Sequence, residues 1–193
     1  TSSSLGGKCF TTISTWKGRG RVVWQGVDSG EKSDNWLDYI DLPASYCEPF
    51  EIAMRMESDD AASERRMFEA HGWHLSDPAQ LRNLDDYRAY IARSRAEFSV
   101  AHNRYVEFET GWFSDRSALY LASGKPVLVQ RTGIESHLPT GKGLLTFSSI
   151  DEARAGIDAI NSDYAGHCRA AREIAQEYFD SDRVLSEIVD QIN

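Results

Sequence analysis

The sequence predicts an α/β domain on a mainly parallel sheet with helices on both faces. Three observations carry that reading. After Leu42-Pro43, short β-branched or aromatic runs alternate with amphipathic segments, the pattern of strands joined by crossover helices. Val127 to Gln130 and Leu144 to Phe147 are short apolar runs set off by helices or glycine-containing turns. Ser149-Ile150-Asp151-Glu152 matches the S-x-x-E capping box, which marks a helix start.

Residues 1 to 7 have the small, polar composition of a flexible lead-in, and 8 to 193 make one domain in which 8 to 48 carries the weaker pattern. Lys8 to Ser14 is β-branched and aromatic and reads as a strand; Arg21 to Gln25 reads as a second, shorter one. Trp36, Leu37 and Ile40 fall at helical spacing within Ser33 to Ile40. Phe50 to Met56 is a strand, and Ser58 is placed to cap a helix running to about Ala70, with Gly72 closing it. Trp73 to Leu75 is a short strand, and Asp77-Pro78 opens a helical turn. A helix from Asp85 aligns Tyr87, Tyr90, Ile91 and Ser94, and Glu97 to Ala101 forms the next strand. Beyond the capping box, helices run to about Asn161 and from Tyr164 to about Phe179. The final segment, with Val184, Leu185, Ile188, Val189 and Ile192 on one face, needs a surface to dock on.

A 41% apolar share with five Trp, eight Tyr and eight Phe supplies one core for 193 residues, and 26% charged residues give a soluble surface. The formal charge of −9 repels a nucleic-acid backbone, so any phosphate site must be local. Cys9, Cys47 and Cys168 are widely spaced and without a CxxC pair, as expected of reduced thiols in a cytoplasmic protein. There is no apolar run of membrane-spanning length and no leader-like segment. The chain opens on Thr1 rather than Met, which leaves open that it was cut from something longer.

The stretch from Glu109 to Gly133 carries the candidate chemistry. Gly111 permits a tight turn, Ser114 and Asp115 suit an N-cap, Ala118 to Ala122 is an apolar helix closed by Gly124, and Pro126 opens the next strand. A helix start presents unpaired N–H groups and a partial positive charge, and Arg116 adds a full charge in the first turn. A cation there is mildly unfavourable unless an anion faces it, so Ser114 to Ser117 is a candidate diphosphate site. On that reading Arg116→Ala leaves folding nearly unchanged. The loop Ser14 to Arg21 offers Lys17 and Arg19 as further phosphate contacts and Trp16 as a stacking surface for a base or sugar.

The run from Gly111 through LASGKPVLVQRTG to GKGLLTFSSIDEA resembles the donor-binding, C-terminal half of GT-B glycosyltransferases. There a loop-helix is followed by A-x-G-x-P-V on a strand, a T-G or G-G loop, and then GLL. The sequence also resembles a bacterial group of glycosyltransferase-like proteins with FTTI-x-x-W, GWFSDRS and LPTG-x-GL. It carries Phe10-Thr11-Thr12-Ile13, Trp16, Gly111 to Ser117 and Leu138-Pro139-Thr140-Gly141.

The resemblance implies a Rossmann-like three-layer domain that binds a nucleoside-diphosphate sugar as donor substrate, with no separate cofactor or metal. It places Gly111, Trp112, Ser114, Asp115, Arg116 and Ser117 around the diphosphate, Thr132 and Gly133 beside the donor sugar, and Lys17 or Arg19 as a second phosphate contact. Where many retaining members carry two glutamates eight residues apart, this chain has Gly111 and Leu119, so other groups must hold the ribose or sugar. The acceptor-binding N-terminal half has no room in 193 residues, so the isolated chain is expected to bind donor without turnover. The alternative is a non-catalytic module of the same fold that interacts or homodimerises through Val184 to Ile192.

Overall fold

The computed structural model describes residues 7–17, 20–57 and 59–192. Its strands in chain order are β1 (Cys9–Thr15), β2 (Val23–Trp24), β3 (Val27–Asp28), β4 (Phe50–Arg55), β5 (Trp73–Ser76), β6 (Ser94–Ser99), β7 (Val127–Gln130) and β8 (Leu144–Phe147). β2 and β3 pair antiparallel as a separate hairpin. The other six form one sheet in the order β5-β4-β1-β6-β7-β8, every pairing parallel. The chain moves outward from β1 through β4 to β5, then restarts on the far side of β1 with β6. Strand order therefore reverses between β1 and β6, where open α/β sheets bind ligands at their carboxyl ends. The weakly patterned N-terminal portion thus supplies the central strand.

The helices are α1 (Lys32–Asp38), α2 (Ala61–Ala70), α3 (Leu84–Arg93), α4 (Asn103–Glu107), α5 (Asp115–Ala122), α6 (Ile150–Ser162), α7 (Tyr164–Tyr178) and α8 (Ser181–Ile192). On one face, Trp36 of α1, Phe68 of α2 and Ile157 of α6 pack on an aromatic floor of Phe10, Phe50, Phe98 and Phe147. On the other, Ile91 of α3, Tyr120 of α5 and Ile174 of α7 pack on Val127 and Leu144. Successive residues of β7 and β8 thus point into different cores, which is why both strands read as unbroken apolar runs.

Four elements depart from the sequence reading. β6 begins at Ser94, not Glu97, because α3 ends directly in the strand: Ser94 Oγ donates to Tyr90 O at 2.8 Å and pairs with Thr11 Oγ1 at 2.6 Å. Ser94 and Arg95 hide the start of this strand, since a polar and a charged residue are unexpected in a sheet buried on both faces. Arg21 to Gln25 contributes only β2, held in its hairpin by the Arg21–Asp28 ion pair at 3.0 Å. Ser58 lies outside the described residues; α2 is preceded by Asp60 at its N-cap. In α8, Leu185, Ile188 and Ile192 are exposed rather than docked on the sheet. No helix among the described residues is long and apolar enough to cross a membrane.

Candidate functional site

A cavity of about 510 Å3 opens at the carboxyl ends of β1, β6 and β7, where Thr15, Ser99 and Gln130 line it. It lies over the strand-order reversal. Opposite the strand ends stand the first turn of α5 and the segment from Ala101 to Tyr105.

The approach to α5 is built from backbone that favours glycine. Gly111 sits at φ 70° and Gly133 at φ 86°, and a Cβ on Gly133 would come within 2.9 Å of Glu109 O. The two loops are then stitched together: Gly111 N–H donates to Thr132 O at 2.7 Å, and Thr132 Oγ1 donates to Trp112 O at 2.7 Å. Ser114 occupies the N-cap in extended backbone but makes no capping bond; its hydroxyl leans on Asp115 Oδ1 at 3.3 Å. Ser117, three residues in, has a buried Oγ without a partner among the described residues. The helix start thus faces the cavity without a cap from Ser114, although Asp115 Oδ1 accepts from Arg116 N–H at 2.8 Å.

Arg116 has a different partner from the one the sequence suggests. The anion facing it is part of the protein: Nε donates to Glu97 Oε1 at 2.5 Å, and Glu97 is fully buried in the middle of β6. Nη1 donates to Ile13 O at 2.5 Å and Nη2 to Ser99 Oγ at 2.6 Å, so the guanidinium plugs the crevice between β1 and β6. Burial works against its charge, and Glu97 more than offsets that. The unfavourable cation at a helix start is thus explained by an internal carboxylate on the neighbouring strand, too far away in sequence to be read as its partner.

Ionisable groups that sequence reasoning missed also line the cavity, Lys32 and His102 with Arg104 and Tyr105 beside them. Lys32, the first residue of α1, donates from Nζ to Ser14 Oγ at 2.7 Å and has no carboxylate in ion-pair range among the described residues. Burial, with Arg116 close by, pulls its ammonium down to about 7. The signal was the one seen at Arg116, a cation in the first turn of a helix. His102 caps α4, its Nδ1 accepting from Arg104 N–H at 3.4 Å, while Nε2 is buried without a partner among the described residues. Burial and the Arg104 and Lys32 charges hold its imidazole at about 4, hence neutral near pH 7. The preceding residue is pinned: Gln130 Oε1 accepts from Ala101 N–H at 3.1 Å, and Asn35 Nδ2 donates to Ala101 O at 3.2 Å.

The structure brings Trp112, Ser114, Arg116, Ser117 and Thr132 together on this cavity. Gly111 and Gly133, in the loops, and Asp115, the first residue of α5, do not line it. Lys17 is turned away in an ion pair with Glu64 of α2 at 2.8 Å, and Arg19 lies outside the described residues. Trp16 is not available for stacking on a ligand: it is buried edge-on against Phe68 with centroids 5.0 Å apart. No cluster of His, Cys, Asp and Glu among the described residues could hold a metal ion.

The fold recurs in a solved structure. The chain superposes on the crystal structure of TarM, a protein of the GT-B glycosyltransferase fold, with a TM-score of 0.60 at 13% identity. The match covers 99% of this chain and 36% of TarM, so the chain spans about a third of that protein's length. No curated protein sequence matches it. Residues 72–190, well over half of the 193, match the family model described as glycosyl transferase-like. By that match, which takes in β6, the α5 loop and the capped helix α6, the chain belongs to the glycosyl transferase-like family.

Proposed function

We propose that the cavity binds the diphosphate of a nucleotide-sugar donor, which makes this chain the donor-binding half of a glycosyltransferase. The observation that carries the reading is the pairing of an uncapped helix start, Ser114 to Ser117, with Lys32 across one cavity at the strand-order reversal. Transfer breaks the bond between the anomeric carbon and a diphosphate oxygen, and the electron pair leaves with the diphosphate. Helix N–H groups and an ammonium fixed in advance stabilise that charge as it develops. Arg116 acts from beneath: it holds β1, β6 and the first turn of α5 in register and is a positioning residue. Trp112 and Thr132 line the same cavity, and Gly133 shapes the loop that would lie beside the donor sugar. The acceptor and any catalytic base belong to the remainder of a longer protein, so this chain alone binds donor without transferring sugar.

Calorimetric titration with UDP, GDP and ADP tests the reading. Saturation at a hundred times the dissociation constant should stabilise the fold by about 2.7 kcal/mol. Lys32→Ala should weaken binding by roughly 1.5 to 3 kcal/mol, the worth of a hydrogen bond to a charged group, while leaving the melt unchanged or higher. A parent chain that binds none of the three would overturn it. The exposed Leu185, Ile188 and Ile192 of α8 favour a second reading, a module that dimerises without binding donor. Sedimentation as a monomer would remove that one.

A further inference from the structure

Trp112 is 46% exposed, unusual for a tryptophan that lines a cavity in a domain whose Trp16, Trp36 and Trp73 are all buried. It is not loose. The Tyr105 ring covers one face, with centroids 4.7 Å apart and planes 13° from parallel, and the Arg104 guanidinium lies 5.5 Å from the Tyr105 centroid. The backbone is tied as well, through Thr132 Oγ1 to Trp112 O and Gly111 N–H to Thr132 O, both at 2.7 Å. With one face covered, the exposure falls on the other face and the rim.

We propose that this free face of Trp112 is the platform on which the base of the bound nucleotide stacks. The proposal rests on the donor-site reading above and adds the group that recognises the base. The stacked pair of Tyr105 and Trp112, with the Arg104 guanidinium beside Tyr105, is extended best by another flat π-system, which a puckered sugar ring is not. Trp112 lies two residues before the α5 N-cap, so a base on its ring and a diphosphate at the helix start belong to one ligand. Because the ring is held in advance, stacking costs little ordering of the protein. Every base has a π-face, so the platform supplies affinity while tolerating different bases.

The test uses the exposed tryptophans. Trp24, on the β2–β3 hairpin, is the other exposed one, so in a Trp24→Phe background quenching of exposed tryptophan emission reports Trp112. That protein, and the same protein carrying Trp112→Ala or Trp112→Phe, is titrated with UDP, GDP, ADP, UDP-glucose and inorganic pyrophosphate. We expect nucleotides to quench emission. Trp112→Ala should weaken nucleoside diphosphates roughly 5- to 100-fold, as loss of base stacking does, and Trp112→Phe should retain most of the affinity. Pyrophosphate should bind parent and variants alike. An equal loss for pyrophosphate would make Trp112 a support of the α5 loop, and a loss confined to UDP-glucose would place the sugar on the ring; either overturns the proposal. Nucleotide binding unaffected by the substitutions sinks the platform alone, whereas a parent that binds no nucleotide sinks the donor site and the platform with it. Should the Ala variant fail to fold, quenching of the parent and calorimetric titration of the Phe variant decide the question.

Discussion

At the start of α6, Ser149 Oγ accepts Glu152 N–H at 3.2 Å and the Glu152 carboxylate returns a bond to Ser148 N–H at 2.7 Å. At the start of α5, Ser114 also sits at the N-cap in extended backbone, yet its hydroxyl leans on Asp115 and caps nothing. One start is capped by its serine and lies at the surface; the other has no serine cap, only Asp115 Oδ1 accepting from Arg116 N–H at 2.8 Å, and faces a cavity. The same residue type at the same helical position is therefore a stability device in one place and part of a candidate ligand site in the other. What separates them lies opposite: solvent for α6, the ends of β1, β6 and β7 together with Lys32 for α5.

The largest effect should come from breaking the support under the open start. Arg116→Ala leaves the fully buried Glu97 carboxyl with its partner gone, and removing one member of a buried pair costs about 3 to 5 kcal/mol. This reverses what the sequence alone suggests, that the change would leave folding nearly untouched. Thermal and denaturant melts of Arg116→Ala check it, and adding Glu97→Gln to an Arg116→Leu variant should recover much of the loss. A melt of Arg116→Ala that matches the parent would make the Glu97 pair energetically idle.

A second effect is pH-dependent and isolates Lys32. Its pKa falls from an ordinary 10.5 to about 7 in the folded chain. Below about 7 both folded and unfolded chains hold the proton, and the full cost of burying the ammonium is present. Between about 7 and 10.5 the unfolded chain binds more protons, so stability should rise with pH across that window. Melts of the parent against Lys32→Met from pH 6 to 10 should show that rise in the parent only. Diphosphate binding favours the ammonium form, so at pH 8 the parent should take up a proton on binding, read as a dependence of the calorimetric heat on buffer ionisation enthalpy.

The smallest effects make the sharpest comparison of the two starts. Ser149→Ala should cost on the order of 1 kcal/mol, the usual worth of an N-cap. Ser114→Ala should stay within about 0.5 kcal/mol, because no cap is lost there. Equal losses at the two serines would mean that α5 is capped in solution, and the argument for an open helix start would fail.

Much of the fold was legible because its signals are local. β7 and β8 match the apolar runs residue for residue, α6 follows its capping box, and α7 begins at Tyr164 as its periodicity requires. The loop-helix at Ser114 was legible too, from glycine, capping residues and an apolar helix within a short span. The start of β6 was not, since Ser94 and Arg95 are poor strand formers on their own. The strand is held by β1 on one side and β7 on the other.

By itself, then, the sequence determined the alternation of elements, the two serine-marked helix starts and the family pattern from Gly111 onward. Only the tertiary structure decided that the weakly patterned first strand is the centre of the sheet, that Arg116 answers Glu97, and that Lys32 and His102 share a cavity with Trp112. The physical reason is range. Propensity, capping and periodicity act over a few residues and can be read along the chain. Desolvation and charge pairing act through space, between residues such as Glu97 and Arg116 that lie 19 positions apart and meet only when the sheet assembles.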